Sequence, residues 1–75
     1  MTIDADSVRR HRRAAQTHDE AASRHREAAK FWIGRGDQVR ADIEARNAEI
    51  EREAAQLERE RADLAESETA ADQQP

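Results

Sequence analysis

Both glycines of this 75-residue chain lie within three positions of each other, at Gly34 and Gly36, and its one proline is the last residue. Nothing else in the sequence breaks a helix by its own chemistry. The chain therefore reads as two long runs of helix formers joined at Phe31-Trp32-Ile33-Gly34-Arg35-Gly36-Asp37. A glycine just past a helix end takes a left-handed backbone at little cost, and Gly34 is placed for that role. Asp37 is a natural cap for a following helix. Gly34, Gly36 and Asp37 thus predict a tight turn at 34–37. The competing form is one continuous helix carrying two glycines at about 1 kcal/mol each.

Upstream of the turn, a stripe runs Val8, His11, Ala15, His18, Ala22, His25, Ala29, Trp32. Its steps alternate three and four without a fault, which is the seam of a helix in a coiled-coil-like contact. Ala14, Ala21 and Ala28 widen that face. Thr2, Asp4, Asp6 and Ser7 supply start signals. The pattern predicts a helix over 4–33. Downstream, Ile43, Ile50, Leu57 and Leu64 repeat every seven residues, each preceded three positions earlier by Arg40, Asn47, Ala54 or Arg61. This predicts a second helix over 38–67 with the large aliphatics on its seam. Asn47 would act as the polar residue that fixes register. Residues 68–75 are small and polar, and predict a disordered tail.

Folding back at Gly36 pairs Val8 with Leu64, Ala15 with Leu57, Ala22 with Ile50 and Ala29 with Ile43. Small residues then face large ones, as close packing requires. The charges agree with this. Residues 1–36 carry eight basic and five acidic side chains, and residues 37–75 carry five basic and twelve acidic. Arg9, Arg10, Arg12 and Arg13 would come beside Glu60, Asp63 and Glu66. His11 would face Arg61, and so requires a carboxylate such as Glu58 nearby. The expected fold is all-α, an antiparallel two-helix hairpin over 1–67. Much of the 36% hydrophobic content is alanine, so one hairpin has a thin core. Assembly into a four-helix bundle, or docking on a partner, would complete it. A parallel dimer of the second helix competes, but sets Glu53 against Glu58 of its mate.

The function classes narrow accordingly. No cysteine is present, so there is no disulfide framework, and no apolar run approaches the ~18 residues of a membrane span. Met1 to Ser7 is acidic and lacks an apolar signal-peptide core, which predicts a cytoplasmic protein unless export is leaderless. No nucleophile triad, phosphate loop or paired catalytic carboxylate is visible, so no enzyme and no cofactor are expected. His11, His18 and His25 are the only metal candidates, and seven-residue spacing sets them about 10.5 Å apart along one helix. One ion cannot span that distance, so a His-lined metal or cofactor site would need several chains related by symmetry. Semi-buried histidines beside Arg61 or apolar groups also predict a seam that loosens between about pH 7 and 5. Arg9 to Arg13 could bind nucleic acid, but the chain is acidic overall and no aromatic interleaves the cluster. Arg35-Gly36-Asp37 matches an integrin-type tripeptide, a short match in which Gly36 and Asp37 already have turn roles.

The surplus is at Phe31, Trp32 and Ile33. Three bulky apolar residues in a row cannot all face one seam, so they serve as an end plug or as an anchor for a protein partner or a second copy. Trp32-Ile33-Gly34 at a helix–helix turn resembles the WxG-motif hairpins of type VII secretion. That resemblance implies an exported subunit of a dimeric helical bundle. The C-terminal Tyr-x-x-x-Asp/Glu signal of that family is absent, since the chain has no tyrosine.

Overall fold

The structure, a computed structural model, describes residues 5–72. Among these there are two helices and no strand: α1 (Ala5–Gly34) and α2 (Gln38–Asp72), packed along their lengths as an antiparallel hairpin. Asp6 lies in the first turn of α1 and pairs with Arg9, one turn on. The expected start signals at Thr2 and Asp4 lie outside the described residues, and Ser7 is already helical. α2 runs five residues past Ser67, through what composition alone predicts as a tail. Two contacts explain the extension. Ala62 and Ala65 bury against Val8 of α1, and the Thr69 hydroxyl donates to the Ala65 carbonyl at 2.9 Å.

The turn uses its glycines differently from the expectation. Gly34 is the last residue of α1, and it is Gly36 that adopts the left-handed backbone, with φ of 77°. The Gly36 N–H donates to the Ile33 carbonyl at 3.0 Å, and the Asp37 N–H donates to the Trp32 carbonyl at 2.9 Å. These two bonds form a Schellman motif, in which the residue after the cap is the one that turns left-handed. Asp37 is then the cap of α2: its Oδ1 accepts from the Arg40 N–H at 2.9 Å. That bond, reinforced by the Arg40 guanidinium, holds the Asp37 carboxyl below the ordinary carboxylate range.

The inner face of α1 is the one its stripe predicts, with Val8, Ala15, Ala22 and Ala29 buried. The inner face of α2 is not. Ala41, Ala48, Ala55 and Ala62 lie there, between 0% and 4% exposed, while Ile43, Ile50, Leu57 and Leu64 are 45% to 63% exposed. The pairings of Ala15 with Leu57, Ala22 with Ile50 and Ala29 with Ile43 do not form. The physical reason is close approach. Alanine against alanine lets the axes come to the short end of the usual ~8–10 Å. Side chains at the seam's margins can then reach across, and isoleucine or leucine between the helices would hold them apart.

Candidate interaction surface

Three rungs cross the hairpin beside the alanines. His11 Nδ1 lies 2.9 Å from Glu58 Oε2, His18 Nδ1 lies 2.6 Å from Glu51 Oε1, and His25 Nδ1 lies 3.3 Å from Glu44 Oε1. An ionised carboxylate only accepts, so each imidazole donates. The residue numbers of every rung sum to 69, which sets the fold-back midpoint between Gly34 and Arg35 rather than on Gly36. Glu58 also accepts from Arg61 and so answers the need for a carboxylate beside His11. His11 and Arg61 together hold the Glu58 carboxyl below its ordinary value, the histidine contributing most. The amide of Asn47 is 3.4 Å from Glu44 Oε1 on its own helix, and it is Glu44 that takes His25 across the hairpin. The expected loosening between pH 7 and 5 supposed histidines beside Arg61 or apolar groups, whereas each imidazole faces a carboxylate.

The two long edges of the hairpin differ. On one edge, Arg12 donates to Glu66 at 2.9 Å and Arg59 donates to Asp19 at 2.8 Å, both across the helices. Beneath these pairs an open cleft of about 340 Å³ lies over Ala15 and Ala62. Of the basic cluster expected beside α2, Arg12 meets Glu66 there, while Arg9 pairs with Asp6 on its own helix.

On the other edge, among the described residues, only the His–Glu rungs bridge the helices and no arginine or lysine does. Helical spacing puts the rungs, then half-buried Ala14, Ala21 and Ala28 of α1 and Asn47 and Ala54 of α2, and then the aliphatic row in sequence across this edge. Ile43, Ile50, Leu57 and Leu64 form a line about 30 Å long at 1.5 Å per residue. A small monomer does not ordinarily leave so regular an apolar row in water. This edge is the candidate interaction surface.

The aromatic tip adjoins it. Trp32 is half-buried and continues the line of histidines. The Phe31 and Trp32 rings meet edge to face, with centroids 5.0 Å apart. The Arg40 guanidinium lies 5.1 Å from the Trp32 ring centroid, and that of Arg35 lies 5.3 Å from that of Phe31. Trp32 thus plugs the end of the hairpin, while Phe31 and Ile33 are exposed. Phe31 falls on the aliphatic edge and Ile33 on the ion-paired one, because they are two residues apart on a helix.

Among the described residues, no three His, Asp or Glu side chains converge as metal ligands, and no helix is long and apolar enough to cross a membrane. His11, His18 and His25 each meet one carboxylate, which gives two protein donors per rung. A histidine row matched by a glutamate row of the same period is a signal the sequence carried. Glu44, Glu51 and Glu58 mark the inner face of α2 more faithfully than its large aliphatics do. Compared with known proteins, the chain matches no family model, no curated protein and no solved structure.

Proposed function

We propose that this chain is a small non-catalytic interaction and assembly protein. It binds through Ile43, Ile50, Leu57 and Leu64, with Phe31, Trp32 and Ile33 at the tip as a secondary anchor. One observation carries the reading. The hairpin closes its own seam with alanine and leaves a complete heptad row of large aliphatics exposed. Burying one such side chain contributes about 1.5–3 kcal/mol, so four in register are enough to drive association. The ligand of this surface is a protein, because a helix row without a pocket offers shape and apolar area rather than a cradle for a small molecule.

The test is association of the full chain in its native host, by co-purification of wild type, Ile50→Lys and Trp32→Ala. Ile50→Lys should abolish association with self or partner. Trp32→Ala should weaken it less, since Trp32 is half-buried. If both variants keep every partner and the full oligomeric state, the reading is wrong.

A second reading keeps the resemblance to WxG hairpins, favoured by Trp32-Ile33-Gly34 closing α1 at the turn. It predicts the protein in culture filtrate. Retention of all the protein inside the cells would remove it.

A further inference from the structure

Building on the reading of the aliphatic edge as a binding surface, we infer that its occupant is a second copy of this chain. The two copies stack edge-face to edge-face, with α1 of each over α2 of the other and both turns at the same end. A two-fold contact must be self-complementary, and three features make this one so.

The first is charge. The half of the chain up to Gly36 carries eight basic and five acidic residues, and the half from Asp37 carries five and twelve. Laying α1 over α2 brings unlike halves together twice. Laying each helix over its own equivalent sets basic on basic and acidic on acidic, which disfavours that arrangement. The second is size. α1 offers Ala14, Ala21 and Ala28 to this edge, and α2 offers isoleucine and leucine. Crossing the helices brings the large row of one copy toward the small row of the other, as a packed layer requires.

The third is the rungs, which form the floor of the edge and are half-exposed there. With both turns at one end, each rung meets its own equivalent reversed. His11 comes over the second copy's Glu58 and Glu58 over its His11, so imidazole and carboxylate alternate around a layer of four. The opposite stacking, with turns at opposite ends, brings His18 to His18 and Glu51 to Glu51.

The experiment combines sedimentation equilibrium at about 100 μM with pulsed electron–electron distance measurement on the full chain, spin-labelled at Arg35→Cys in the exposed turn. The expected result is a dimer with a label separation below about 30 Å, the width of a four-helix bundle at ~8–10 Å between axes plus the label arms. Ile50→Lys with Leu57→Lys should convert it to a monomer that keeps its helical circular dichroism. A separation near 50 Å, the span of the opposite stacking at 1.5 Å per residue, overturns the arrangement. So does a dimer indifferent to the lysine pair, and so does a wild-type monomer. A wild-type monomer whose host partner is lost with Ile50→Lys overturns the second copy while leaving the binding-surface reading standing. A variant that loses its helicity is replaced by Ile50→Gln with Leu57→Gln, which should also be monomeric, and a dimer there counts against the proposal.

Discussion

Two rows of α2 repeat every seven residues, and they lie two positions apart. Ala41, Ala48, Ala55 and Ala62 are buried against α1, whereas Ile43, Ile50, Leu57 and Leu64 face outward. The smaller side chains hold the fold and the larger ones do not. Hydrophobicity alone would choose the second row for the seam. Geometry chooses the first, because the helices must be close for His11, His18 and His25 to reach Glu58, Glu51 and Glu44. In a helix pair this thin, burial follows fit before it follows apolar area.

The largest effect should come from exchanging the characters of the two rows. Ala55→Leu inserts a branched side chain where no space is exposed, and should lower hairpin stability by about 1–3 kcal/mol in urea unfolding followed by circular dichroism. Leu57→Ala, two residues on, should leave the isolated hairpin within about 0.5 kcal/mol of wild type while weakening association. Equal losses in the two variants would erase the distinction between the rows.

The turn gives the next effect. Gly36→Ala forces a left-handed backbone on a residue with a Cβ and should cost about 1–2 kcal/mol. Gly34→Ala, in a helical position with nothing within 4 Å of the added carbon, should gain up to about 1 kcal/mol. The two glycines together report which of them ends α1.

Acid gives a third test. Glu58 titrates below the ordinary glutamate value of 4.5, and Asp37 below the ordinary aspartate value of 3.8. A carboxyl whose folded pKa lies below its unfolded one stabilises fully above the unfolded value, and that stabilisation is lost as pH falls through the folded value. Thermal melts should therefore fall as pH drops below about 4.5. Glu58→Gln should shift the melt down at pH 7 and flatten the acid fall. A transition centred near pH 6 instead would mean that the histidines, not Glu58, govern the seam.

The ion-paired edge should matter least. The side chains of Arg59 and Asp19 are 43% and 50% exposed, so Asp19→Asn should cost under about 0.5 kcal/mol and disappear in 1 M salt. A larger loss would mean that this edge, not the alanine seam, closes the hairpin.

The helices, the turn and the inner face of α1 were legible in the residues, because a three–four spacing and a glycine pair leave few alternatives. The inner face of α2 was not. It carries two apolar heptad rows, and periodicity weights isoleucine and leucine above alanine. The match of three histidines to three glutamates at the same spacing was the signal that resolves the choice, and it exists only once both helices are considered together. Residues 68–72 of the expected tail are helical for a related reason, and 73–75 lie outside the described residues: Ala65 packs on Val8 and Thr69 bonds back to the Ala65 carbonyl, contacts that composition does not show. At the candidate surface, the aliphatic row was visible from the start as residues that must be buried, but the surface that buries them lies outside the hairpin.

The central claim is that alanine, not isoleucine or leucine, forms the inner seam of α2. Cross-helix disulfides test it most directly, since a disulfide closes only across Cα separations of about 4.4–6.8 Å. Ala22 and Ala48 both lie between the His18–Glu51 and His25–Glu44 rungs, and both are buried. The account predicts that Ala22→Cys with Ala48→Cys oxidises to an intramolecular disulfide in the folded chain, while Ala22→Cys with Ile50→Cys does not. The reverse outcome, with the Ile50 pair closing and the Ala48 pair remaining as free thiols, would contradict it.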